Sequence, residues 1–306
     1  MLKEINPELF ERLRKIDGSK ELFEFLEKPL RKSVRINTLK ASVESVVERL
    51  SRERFLEEKI PWCDFGYYVS SDEFSRIPEH QLGVIFPQSS VSMIPPLVME
   101  LERGMKVLDL CAAPGAKTTE IAQIMENEGC IVANDVKNDR LNILISNLQK
   151  CGVLIAKVTM MDGRKFARFE NRFDAVLVDA PCSNLGMIRR NYSYARLWSL
   201  KMSLDLSRLQ RELIFAGYKA LKPGGVLVYS TCTLEPMENE AVVDYLLRNT
   251  EAEIEEIKLP LKYIPGFREF EGFEFLGEVR KCIRIHPQLN DSEGFFVAKL
   301  IKSESS

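Results

Sequence analysis

Histidine is scarce in this chain of 306 residues: His80 and His286 are the only two, and they lie far apart. That scarcity argues against a His-rich metal centre. The seven cysteines are odd in number and scattered, and none forms the Cys-x-x-Cys pair of a zinc knuckle or thioredoxin-type site, so free thiols in a reducing compartment and no bound metal are expected. No apolar run reaches the roughly 18 residues that would cross a bilayer. The opening "MLKEINPELFERLRK" is charged where a signal peptide would be apolar, which makes a cytoplasmic protein the expectation. With 16 Gly and 14 Pro and no low-complexity tract or repeat, the chain is neither fibrous nor disordered. A net charge of −2 excludes a uniformly basic nucleic-acid coat but leaves room for a local patch.

One such patch is present. From Lys28 to Val43, "KPLRKSVRINTLKASV", there are five basic residues (Lys28, Arg31, Lys32, Arg35, Lys40) and no acid. A phosphate backbone would meet such a stripe, and a solvated strand edge would carry one too. The region around it mixes short helical patterns (7–15, 21–27, 43–53) with strand-like pieces (34–37, 67–70), which suggests a small α+β domain over residues 1–84. From 85 to 306 the order becomes regular. Strands are expected at 106–110, 130–135, 155–159, 174–178 and 225–230, with helices at 118–127, 139–150 and 203–221 between them, the pattern of a parallel sheet covered on both faces. The acid-rich stretch 251–278 reads as irregular, and "GFFVAKL" (294–300) as an antiparallel finish.

The chemistry sits where the expected strands end. "VLDLCAAPGAKTTEIA" (107–122) is a strand, a small-residue turn and a helix start, in which Ala112, Ala113, Gly115 and Ala116 let a ligand approach the backbone. It lacks both Gly-x-Gly-x-x-Gly and a Walker A lysine, which disfavours pyrophosphate ligands. The next strand ends at Asp135, twenty residues beyond Gly115, where an acid can accept from ribose hydroxyls; taken alone it could equally be a helix cap. Asp162 and Asp179 end the third and fourth strands, so three acids line one crevice. A nucleoside site without pyrophosphate chemistry points to S-adenosylmethionine.

Two thiols share that crevice: Cys182 in "VDAPCSN" and Cys232 in "LVYSTCTLEPMENEAVV". A thiolate beside a methyl donor suits methylation of pyrimidine carbon 5, because addition at carbon 6 makes the otherwise weak carbon 5 nucleophilic. Free cysteines are more often buried packing, which is the reading for Cys63, Cys130, Cys151 and Cys282. Spacing alone does not choose between Cys182 and Cys232 as the attacking group.

Together "DLCAAPGAKT", "DAPCS", "RR", "YSTCTLEPMENEAVV" and "EGFFVAKL" resemble the NOL/NOP/Sun RNA 5-methylcytosine methyltransferases over residues 85–300. The resemblance implies an α/β architecture, a Rossmann-like class I S-adenosylmethionine-dependent methyltransferase domain preceded by a smaller N-terminal α+β RNA-binding domain. It implies Cys232 as the nucleophile, Cys182 as an aid to product release, Asp179 on the target cytosine and Lys117 near the reacting centre. Around the methyl donor it implies Cys111, Ala112, Ala113, Pro114, Gly115, Ala116, Lys117, Asp135, Arg140, Asp162 and Asp179. Along the RNA path it implies Arg189 and Arg190, and it gives the Arg31, Lys32, Arg35 stripe weight as an RNA contact. Phe86, Tyr192 or Tyr194 could stack on the base, with core packing the better reading for Phe86. Asn184 stands where the family often has Gly, and His286, in a reversed Pro-His order, is given no role.

The expected substrate is structured RNA, tRNA before ribosomal RNA because the chain is compact, with a monomer favoured and no membrane partner. A vestigial assembly factor fits poorly, since both thiols and all the acids are present. A nicotinamide dehydrogenase lacks its glycine fingerprint. An amino methyltransferase would carry Pro-Pro-Tyr where this chain reads "DAPC".

Overall fold

The computed structural model describes residues 2–71 and 73–304. In the N-terminal region β1 (Lys32–Ile36), β2 (Leu56–Lys59), β3 (Gly66–Val69) and β4 (Ile85–Pro87) form an antiparallel sheet in the order β2-β3-β1-β4. Strand alternation divides β1 into two uses. Val34 and Ile36 pack with Val46 and Leu50 of the helix Val43–Arg52, while Ser33 and Arg35 face the larger domain. The small sheet thus extends to Pro87, past the expected division at residue 84. The helices Leu2–Ile5, Pro7–Ile16 and Lys20–Glu27 share a core with Trp198, Leu234 and Val242 of the larger domain rather than with that sheet.

The larger domain adds β5 (Lys106–Asp109), β6 (Cys130–Asp135), β7 (Ala156–Met160), β8 (Phe173–Asp179), β9 (Leu221–Thr231), β10 (Ala252–Glu255) and β11 (Ile264–Pro265). It continues with the short ribbon of β12 (Glu269–Phe270) and β13 (Phe273–Glu274), then β14 (Ile283–Ile285) and β15 (Phe295–Lys302). The main sheet runs β11-β14-β15-β9-β8-β5-β6-β7, with β10 pairing β15. The five strands from β9 to β7 are parallel; β11, β14, β15 and β10 join antiparallel. This is the Rossmann-like α/β fold expected. Alternate residues of the parallel strands enter opposite core layers: Val176, Val178 and Leu227 on one face, and Ala175, Leu177 and Val228 on the other.

Strand order reverses between β5 and β8, and ligands of open α/β sheets bind at the carboxyl ends at such a point. The cradle after β5 and the Pro-Cys turn after β8 therefore meet across one crevice. The expected strands 106–110 and 130–135 and the helices 139–150 and 203–221 fall on the observed elements to within three residues at each end. The helix Glu240–Asn249 and strands β2, β4 and β10 were not expected, and β10 gives part of the acid-rich 251–278 stretch regular structure.

Candidate active site

Backbone constraints build the cradle. Gly115 has φ of +105°, which only glycine adopts at low cost, and an added Cβ would meet Leu144 at 2.8 Å. It begins the helix Ala116–Ile124. Arg140 donates to the Ala113 carbonyl and Asn147 to the Pro114 carbonyl (2.9 Å), which fixes the turn from the outside.

The acids divide into free and engaged. Asp135 is buried at the end of β6; its Oδ1 accepts from the Lys137 N–H, and Oδ2 lies 3.2 Å from Arg140 without hydrogen-bond alignment. Asp109, at the end of β5, is buried with Oδ2 bonded to Thr118 (2.6 Å) and Oδ1 unpartnered, and burial pushes its carboxyl up to about 7. Sequence reading passed over Asp109, although a buried acid at a strand end was a signal already used for Asp135. Asp162 differs: its carboxylate is gripped by Arg164 and caps the turn that follows. Buried oxygens without a hydrogen bond at the ends of β5 and β6, the second of them facing Arg140, beside a glycine-opened backbone, fit a ligand rich in hydroxyl and amino donors, as the nucleoside and amino acid ends of S-adenosylmethionine are.

A cavity of about 570 Å³ opens beside Pro114, Ala116 and Lys117 of the cradle. Lys117 and Asp179 line it, joined by a 2.7 Å ion pair, and Ser230 holds the other Asp179 oxygen at 2.7 Å. Burial works against the Lys117 ammonium, but the Asp179 carboxylate outweighs it and holds the Lys117 pKa above its usual value. Cys232 lines the same cavity, whereas Cys182 lies behind it with its sulfur 3.2 Å from that of Cys232. That hydrogen bond, reinforced by burial, pushes the Cys182 thiol well above its ordinary range. Ser183 is pinned between Glu238 and Thr233, both at 2.9 Å from it. Gly186 crosses Gly294 so closely that a Cβ would lie 1.9 Å from the Gly294 carbonyl, while the Gly186 N–H donates to the Cys232 carbonyl (2.9 Å). The thiols are thus held by a crossing of three chain segments.

Basic residues rim the opening. Arg31, which pairs with Glu57 and Glu58 and stacks on Tyr68 at 3.7 Å, lines the cavity together with Lys32 and the exposed Arg190. Two expected RNA contacts are corrected. Arg35 is wholly buried, with its guanidinium donating to Gln88 (2.9 Å), Thr119 (2.6 Å) and Gln123, so it ties the small sheet to the cradle helix. Arg189 is also buried, donating to the carbonyls of Lys28, Pro29 and Ser292 and to Asp291. Neither can reach a phosphate without abandoning these bonds. Tyr192 bonds the Leu26 carbonyl and packs with Tyr194 against the core, and Phe86 is buried yet borders the cavity. Glu293 and Phe295 also line the cavity; both lie in "EGFFVAKL", which sequence reading used without assigning them a task. His286 is buried against Asp17 (2.7 Å) and joins the N-terminal helices to the chain's end.

Residues 96–301 match the family model described as 16S rRNA methyltransferase RsmB/F, and residues 5–90 match that of the N-terminal domain of 16S rRNA methyltransferase RsmF. The chain belongs to the RsmB/F family. This is the NOL/NOP/Sun resemblance noted above, and membership makes the chain an S-adenosylmethionine-dependent RNA cytosine-5 methyltransferase. The tRNA (cytosine(49)-C(5))-methyltransferase of Pyrococcus abyssi is 55% identical over 98% of this chain and 97% of that protein. Ribosomal RNA small subunit methyltransferase F of Vibrio parahaemolyticus is 40% identical over 91% of this chain, which spans only 58% of that longer protein. The solved structure of NSun6 from Pyrococcus horikoshii with SFG superposes with a TM-score of 0.83 at 26% identity, covering 96% of this chain and 97% of that one. No helix among the described residues is long and apolar enough to cross a membrane.

Proposed function

We propose that the substrate is tRNA, that the modified base is cytosine 49 as in the name of the Pyrococcus abyssi relative, and that Cys232 carries the base during the reaction. The observation that carries the assignment of roles is the exposure of one thiol only: Cys232 borders the cavity, and Cys182 sits behind it as a held thiol.

A cytosine turned out of its stack into the cavity would meet these groups in order. Asp179, oriented by Lys117 and Ser230, accepts from the exocyclic amino group and fixes the ring. As the Cys232 thiol gives up its proton to solvent in the cavity, its sulfur forms a bond to carbon 6, and the carbon 5–carbon 6 pair becomes available at carbon 5. The 111–117 cradle, Asp135 and Arg140 would hold S-adenosylmethionine, which would supply the electrophilic methyl group. Cys182, close behind Cys232, assists loss of the carbon 5 proton; the pair then returns to the ring and the bond to Cys232 breaks. Arg31, Lys32 and Arg190 around the opening meet phosphates.

The test is incubation of unmodified tRNA transcripts and small-subunit ribosomal RNA with labelled S-adenosylmethionine, followed by nucleoside analysis and site mapping. The reading expects 5-methylcytosine in tRNA at position 49 and loss of the product in Cys232→Ala. Label confined to ribosomal RNA would overturn the substrate, and label at another tRNA cytosine would overturn the position.

A further inference from the structure

Asn184 lies two residues past Cys182 in the left-handed backbone region (φ +59°, ψ +27°). Glycine meets that backbone requirement at least as well as asparagine, so conformation alone does not account for a carboxamide at this point. The side chain is engaged at both ends. Its Nδ2 donates to the Cys182 carbonyl at 3.0 Å, and its Oδ1 accepts from the Cys232 thiol at 3.0 Å, with the Cys182 sulfur 4.0 Å from the same oxygen. The anchor on a carbonyl fixes which end of the amide faces the sulfur, because a flipped amide would set two acceptors against each other.

We propose that Asn184 is the positioning residue of the nucleophile: its anchored carboxamide holds the Cys232 thiol in the orientation from which the sulfur reaches carbon 6. This rests on the assignment of Cys232 as the attacking thiol. The segment is stiff enough to serve as a reference. Ser183 is held by Glu238 and Thr233, and Gly186 is bonded to the Cys232 carbonyl and to Gly294. A hydrogen bond donated by the Cys232 thiol to this segment therefore fixes the Cys232 side chain relative to its own backbone. Without it only the 3.2 Å contact with the Cys182 sulfur restrains the thiol against its other staggered rotamers.

Asn184→Gly tests this, since glycine keeps the left-handed turn and removes only the carboxamide. Three quantities are measured beside the wild type: kcat and KM for tRNA, the tRNA dissociation constant, and the rate of covalent capture on tRNA carrying 5-fluorocytosine at the target. In that trap the Cys232–carbon 6 bond forms and the methyl group adds, but fluorine cannot leave as a cation, so the adduct persists. The expected result is capture and kcat both about tenfold slower, with KM and the dissociation constant within twofold and an unchanged melting temperature. Capture at the wild-type rate would reduce Asn184 to a turn residue and overturn the inference. A parallel loss of tRNA affinity would make it an RNA contact instead. Failure of the wild type to form any adduct would remove the nucleophile assignment itself, and that outcome is read before the variant is considered.

Discussion

Replacing Arg35 with alanine separates two uses of a basic residue, contact with RNA and attachment of one domain to another. The guanidinium is fully buried; it donates to Gln88, Thr119 and Gln123 and lies 5.6 Å from the Phe86 ring. Burial works against its charge, and the Glu120 carboxyl is buried near it on the helix Ala116–Ile124, which also carries Thr119 and Gln123. Removing one partner of a buried charged network costs about 3–5 kcal/mol, because the groups left behind stay desolvated and unpaired. At roughly 2–4 °C per kcal/mol for a domain of this order of size, the melting temperature should fall by roughly 6–20 °C. Differential scanning calorimetry measures this directly, and tRNA binding is compared well below the transition. A variant that melts within about 2 °C of the wild type while losing tRNA affinity would show that Arg35 serves RNA, and would refute the burial argument.

Other consequences are open to equally simple assays. Arg31→Ala and Arg190→Ala, at the rim of the cavity, should each weaken tRNA binding and reduce the slope of log affinity against log salt by about 1, with stability within about 1 kcal/mol of wild type. Burial pushes the Glu120 carboxyl up to about 8. The folded chain therefore holds that proton where the unfolded chain has released it, and stability should fall as pH rises from about 5 to 8. Glu120→Gln should flatten that decline in urea titrations across the range; an unchanged slope would contradict it. Gly186→Ala should lower the urea midpoint by the equivalent of about 2–4 kcal/mol, since its Cβ would overlap the Gly294 carbonyl.

Much of this was legible in the sequence because it is local. The ends of β6 and β8 carry Asp135 and Asp179 in apolar runs that, with their turn residues, are visible within ten positions, as was Asp109 at the end of β5, which was passed over. The two thiols follow strands, and a strand end in a parallel sheet is an address in space. What escaped depends on distant partners. Arg35 and Arg189 look like surface charges until Gln123 and Asp291, about 90 and 100 positions away, are brought to them. Strand β10 is registered only by pairing with β15, nearly fifty residues on, and its own Glu-rich sequence argues for solvent. The task of Asn184 arises from a crossing of chain segments that no window of sequence contains.

In the proposed division of labour Cys232 attacks and Cys182 lets the product go. Its most direct test is to react Cys182→Ala with unmodified tRNA and S-adenosylmethionine, isolate the protein–RNA adduct under denaturing conditions, and identify the modified peptide by mass spectrometry after nuclease and protease digestion. The expected result is an accumulating adduct in which a methylated cytidine is attached to Cys232, and none in Cys232→Ala. An adduct that persists in Cys232→Ala and is absent from Cys182→Ala would exchange the two roles and contradict the account.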